Sequence, residues 1–106
     1  MTDLGIELRH LRYFVAVAEH LHFGRAALAL HVTQPPLSRT IRQLEHRLGV
    51  TLFERGRRVS LTPCGELLLV ESRRILEEVS ASLLRIQSVA DARHTTTINR
   101  QMTAGG

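Results

Sequence analysis

Seven residues between positions 33 and 42, Thr33, Gln34, Pro35, Pro36, Ser38, Arg39 and Arg42, form a run rich in side-chain hydrogen-bonding groups, with no acid among residues 33–42. Such a set suits the edges of base pairs. A Gln amide matches adenine N6 and N7, an Arg fork matches guanine O6 and N7, and a proline ring can touch a thymine methyl. Thr33 and Arg42 suit phosphate instead, as do backbone amides at helix starts. The plain alternative is that Thr33 and the prolines only begin a helix while the arginines are solvated. A second basic group, Arg55, Arg57 and Arg58, surrounds Gly56. On a hairpin tip it would enter a minor groove or grip phosphate, although charged tips are also common as bare loops. Arg12 and Arg25 are further candidates for backbone phosphate.

Other chemistries have thinner support. His20 and His22 are spaced like half of a metal site, but no Cys or carboxylate cluster completes it. Cys64 near a helix start could have an activated thiol, but it reads first as a small residue that only packs. The Glu77-Glu78 pair has no nucleophile near it in sequence, so no catalytic set, cofactor or metal is expected.

The chain that must position these side chains has 106 residues, enough for one small domain and one further element. At 43% hydrophobic and 23% charged, the composition is that of an ordered globule. The net charge is +4, and all fourteen basic residues are Arg. Residues 1–60 hold nine arginines against five acids, whereas residues 61–106 hold five against five. A basic first part with a neutral remainder favours nucleic acid over a membrane surface as partner. The longest apolar run, Tyr13 to Ala18, is far short of the roughly 20 residues of a membrane span. No export signal opens the chain, and the single Cys64 cannot form an internal disulfide, so a cytoplasmic protein is expected.

The candidate residues fall on a short series of elements. Leu8, Leu11, Phe14, Val15 and Ala18 predict a first helix from Leu8 to His20. Arg25 to Leu30, rich in alanine, predicts a second, and Ala26-Ala27 would let a neighbour approach closely. Thr33 is the expected N-cap of a third, with prolines tolerated in its first turn, an apolar stripe of Leu37, Ile41, Leu44 and Leu48, and Gly49 as C-cap. Thr51 to Arg55 and Val59 to Leu61 predict a hairpin. Thr62-Pro63 then starts a fourth helix reaching about Ala92. Along it Leu69, Leu76, Leu83 and Ala90 recur every seven residues, with Ser72, Val79 and Ile86 between them, as a seam for a partner helix. Leu68, Ile75 and Leu84 widen that face. The tail over 93–106 lacks periodicity and is expected to be disordered.

The strings Leu8-Arg9-His10-Leu11-Arg12-Tyr13-Phe14, Phe23-Gly24-Arg25-Ala26-Ala27 and His31-Val32-Thr33-Gln34-Pro35-Pro36-Leu37-Ser38-Arg39 closely resemble the N-terminal domain of LysR-type transcriptional regulators. Leu44-Glu45, Leu48-Gly49-Val50, Leu52-Phe53-Glu54-Arg55 and Leu61-Thr62-Pro63-Cys64-Gly65 continue the match in order. The resemblance implies a mainly α fold: a bacterial winged helix-turn-helix over residues 1–62, then a linker helix over 63–92 that pairs two chains. It also implies sequence-specific binding of partly palindromic promoter DNA by a homodimer. Members of the family continue into an effector domain that no segment here matches, so a small-molecule effector would act only through that domain. His22 stands where the family often has a capping Ser, and the wing is about one residue short.

Overall fold

The computed structural model describes residues 4–104, and side chains over residues 4–93. Helices α1 (Leu8–His20), α2 (Phe23–Leu30) and α3 (Gln34–Leu48) are followed by strands β1 (Phe53–Arg55) and β2 (Val59–Leu61) and by helix α4 (Pro63–Ala104). The mainly α fold, three short helices, a small hairpin and a long helix, is the one expected. No helix among the described residues is long and apolar enough to cross a membrane.

The corners between the first three helices are tight because each helix ends on a left-handed residue. Leu21 (φ 49) and His31 (φ 58) take this conformation without being glycine, which costs about 1–2 kcal/mol each. The turned backbone is held by hydrogen bonds from Leu21 N–H to Val17 O, 2.7 Å, and from Val32 N–H to Ala27 O, 3.0 Å. At the third end Gly49 (φ 70) donates to Glu45 O at 2.8 Å, as a C-cap glycine should.

Within the unit that ends at Leu76, the core joins Phe14, Val17, Ala18, Ala26, Ala27, Leu37, Ile41, Leu44, Leu52 and Phe53. Leu37, Ile41 and Leu44 of the α3 stripe and the alanine pair are buried as predicted, while Leu48 at the end of the stripe is half-buried. The α1 stripe is not quite the predicted one, since Leu8 is exposed and Val15 half-buried, while His10 and Val17 face inward. His10 takes the inner place in the first turn because its Nδ1 accepts the Glu7 backbone N–H at 2.9 Å. Helix α2 begins two residues earlier than expected, at Phe23, because His22 caps it.

Helix α4 departs from its sequence reading in two ways. Leu68 and Leu69 pack against the core of the first unit, and Ser72 is fully buried there, so Leu69 and Ser72 are not open seam positions. A unit this small draws in every large apolar side chain that can reach its core. The first compact unit accordingly runs on to Leu76. The second difference is length. The helix continues past Ala92 to Ala104 in place of the expected disordered tail, there being no Gly or Pro from Glu66 to Ala104 to stop it. Gly105 and Gly106 lie outside the described residues.

The start of α4 is anchored by Thr62, whose Oγ1 accepts Gly65 N–H at 3.0 Å and donates to Thr51 O at 2.6 Å. Gly65 is needed for close approach: a Cβ there would lie 2.2 Å from Leu52 O and 2.9 Å from Leu61 Cδ2. Leu52 O is already held by Thr62 N–H at 3.0 Å and cannot yield freely. Gly65→Ala is therefore expected to destabilise the chain by about 1–3 kcal/mol, read as a lower urea midpoint at unchanged slope.

Candidate nucleic-acid interface

Helix α3 has two faces. Leu37, Thr40, Ile41 and Leu44 are buried, while Thr33, Gln34, Pro35, Arg39, Arg42, Gln43 and His46 are exposed or partly so, with Pro36 and Ser38 half-buried between. Burial of the apolar side fixes the rotation of the helix, so the donor-rich side must face outward. The candidates from Thr33 to Arg42 thus share one outward surface.

The start of this helix is unusual in its polar groups. Thr33 occupies the N-cap with extended backbone, yet its side chain makes no capping hydrogen bond. A cap accepts from the second or third N–H of the helix. Here those residues are Pro35 and Pro36, which have none. The predicted cap is correct in place and idle in chemistry, which leaves the Thr33 hydroxyl open. It also leaves Gln34 as the sole backbone donor among residues 34–36, so this end offers an anion few amides and must rely on side chains. Further along, Thr40 Oγ1 turns back to Pro36 O at 2.9 Å.

The hairpin pairs Phe53 with Leu61, Glu54 with Ser60 and Arg55 with Val59. Its direction is set by Glu45 of α3, whose Oε2 accepts Leu52 N–H at 2.8 Å and Phe53 N–H at 3.4 Å. Arg55 Nη2 meets the other oxygen of Glu45 at 3.4 Å, and the guanidinium lies 5.0 Å from the centre of the Phe23 ring. Phe53 in turn stands 5.4 Å from Phe14 and 5.9 Å from Phe23. Of the three wing arginines, Arg55 is therefore engaged inward, bracing the hairpin. Arg57 and Arg58 are exposed at the tip. They line an open cleft with His22, Phe23, Gly24 and Gln34, so the start of α2, the start of α3 and the wing meet in one place.

Arg12 is exposed on α1 and Arg25 on α2, the latter next to Gly24 of the cleft. Sequence reasoning missed Glu45 and Phe23, the two supports of Arg55. The signal was there for Glu45, the only acid in α3. Cys64 is exposed, and among the described residues no three His, Cys, Asp or Glu side chains are grouped to hold a metal.

The chain is similar in sequence and fold to several known proteins. The family model described as "Bacterial regulatory helix-turn-helix protein, lysR family" matches residues 8–66. The HTH-type transcriptional regulator YnfL of Escherichia coli K12 is 53% identical over 85 residues, 79% of this chain and 29% of the relative. The Hca operon transcriptional activator HcaR of the same strain is 48% identical over 101 residues, 94% of this chain and 32% of the relative. The chain thus spans less than a third of the length of these curated relatives. Among solved structures, the BenM_DBD/catB site 1 DNA complex matches with a TM-score of 0.78 at 45% identity, covering 80% of this chain and 96% of that one.

The geometry around Glu45 makes a specific demand on stability. Glu45→Ala leaves the Leu52 N–H without its acceptor and is expected to cost about 1–3 kcal/mol. Amide exchange at Leu52 and Phe53 should accelerate more than exchange at Ile41 in the core of α3. Equal acceleration at all three would contradict a local brace.

Proposed function

The chain belongs to the LysR family of bacterial regulatory helix-turn-helix proteins, and from that premise we propose that it binds double-stranded promoter DNA sequence-specifically. The observation that carries this reading is the exposed face of α3, fixed in rotation by Leu37, Ile41 and Leu44 and flanked by the arginine tip of the wing. In a major groove the first residues of such a helix reach base edges. Gln34 would read adenine, Arg39 guanine, and Pro35 or Pro36 a thymine methyl, with Ser38 beside them. Thr33, its hydroxyl unused by the helix, and Arg42 would hold phosphates. Arg57 and Arg58 would reach the adjoining minor groove or its phosphates, with Arg55 supporting them from behind. Arg25 and Arg12 would contact the backbone on the flanks.

The functional unit would be a homodimer on partly palindromic sites, because two helices reading half-sites about one DNA turn apart need a common support. The apolar surface of α4 supplies the motive. In the first unit Leu67 and Val70 are exposed, Leu76 half-buried; in the second Leu83, Leu84, Ile86, Val89 and Ala90 are exposed and Val79 is half-buried. Pairing is thus better assigned to Leu76, Val79, Leu83, Ile86 and Ala90 than to Leu69. Effector sensing, an activity of whole regulators, would belong to sequence outside the matched region. A chain of this kind acts by occupying DNA in the cytoplasm, with no catalytic step of its own.

Selection of duplexes from random sequence, followed by fluorescence anisotropy, tests the proposal. Arg39→Ala should lose about 1–3 kcal/mol at one base pair and relax the preference there. Arg57→Ala should weaken all sequences alike and lower the slope of log K against log salt by about 0.9. Selection without enrichment, or an Arg39→Ala chain with unaltered preference, would sink it.

A further inference from the structure

One polar side chain of the cleft has no part in that account. His22 joins α1 to α2 in extended backbone (φ −159) and is the N-cap of α2, its Nδ1 accepting the Arg25 backbone N–H at 2.9 Å. A ring nitrogen that accepts a hydrogen bond carries no proton, so the proton of the neutral imidazole must sit on Nε2. The cap thereby chooses the tautomer. The other nitrogen of this exposed ring is a donor, and among the described residues it has no protein partner.

The seat of the ring depends on Gly24. A Cβ at that position would lie 3.0 Å from His22 Cε1 and 3.3 Å from Nδ1, tighter than side chains normally pack. It would also lie 3.7 Å from Gln34 Oε1, so the imidazole and the Gln34 amide converge above Gly24. His22 shares the cleft with Gln34, Arg57 and Arg58. A group lodged there meets one neutral donor and two guanidinium groups, with no carboxylate in the lining.

We infer that His22 is a DNA-contacting residue, its neutral Nε2–H donating to an oxygen of a backbone phosphate that sits in the cleft between α3 and the wing. A phosphate fits better than a base edge because its charge matches Arg57 and Arg58, and because phosphates line the rim between the groove that α3 would enter and the groove beside it. The contact is made by the side chain, which the cap has fixed in both orientation and tautomer before DNA arrives. It is sequence-independent. Being uncharged, it releases no counterion, unlike the contacts of the two arginines.

This inference rests on the DNA-binding reading, and the test separates the two. His22→Ser and His22→Asn keep a strong capping group and remove the ring. Both should fold with a thermal midpoint at or above that of the parent chain. Both should bind a selected duplex and an unrelated duplex of equal length about tenfold more weakly, the worth of one hydrogen bond to a charged group. The salt slope should stay at the parent value, in contrast to Arg57→Ala. Nitrogen-15 NMR of the parent imidazole at neutral pH should show the proton on Nε2. Parent-like affinity in both variants, a slope lowered as in Arg57→Ala, or a proton on Nδ1 overturns the inference while leaving the DNA-binding reading intact. Failure of the parent chain to bind either duplex overturns both.

Discussion

Glu45 stands on the inner side of α3, its side chain 17% exposed, with both carboxylate oxygens engaged by Leu52, Phe53 and Arg55. Accepting from Leu52 and Phe53 N–H, it decides where the backbone goes after Gly49, and hence where the hairpin lies relative to the helix. The two polar surfaces of the molecule are held in one frame by this link. Without it the wing would depend on the packing of Leu52 and Phe53, on the Thr62 hydrogen bonds to Thr51 and Leu52, and on two short strands, and a two-stranded hairpin is marginal alone. Phe53 then carries the frame to α1 and α2 through Phe14 and Phe23. Arg55 completes it, its guanidinium lying between the carboxylate and an aromatic face, where its charge is balanced.

The same economy governs the helix starts. At α2 a histidine supplies the cap, at α4 a threonine does, and at α3 no side chain does. Of these three starts, the uncapped one begins the helix that carries the donor-rich face. Prolines solve the problem there by removing the amides that would need a partner, and their fixed φ favours the helical turn without one. The cost of a missing cap, about 1 kcal/mol, is thus largely avoided while Thr33 and Gln34 keep their side chains open. A helix begun by prolines is well suited to present its first residues to another molecule.

Periodicity made the α3 stripe legible because three large residues at helical spacing have one low-energy arrangement, inward. The donor face followed from it by elimination. Arg57 and Arg58 were readable for a similar reason, since two arginines beside a turn glycine have nowhere to go but out. Arg55 was not, because its fate depends on Glu45 and Phe23, ten and thirty-two residues away, and no local pattern encodes such a meeting. His10 illustrates the same limit. A histidine among the apolar positions of α1 looks like a surface residue until its Nδ1 is seen to be taken by the Glu7 amide, which satisfies one ring nitrogen while Nε2 is buried without a partner.

Helix α4 shows how a heptad pattern can hold two different uses. Up to Ser72 the periodic positions are consumed by the domain that precedes them, as the burial of Ser72 and the packing of Leu68 and Leu69 make plain. From Leu83 onward the same spacing places large apolar side chains in the open, where about 25 cal/mol per Å² of apolar area is gained only if another surface covers them. A serine in a seam is poor for pairing two helices. In the small core its size lets the helix approach closely, at the cost of a buried Oγ that has no hydrogen-bond partner. Ser72 is therefore closed to a partner helix, and the apolar surface left open on α4 begins later in the helix.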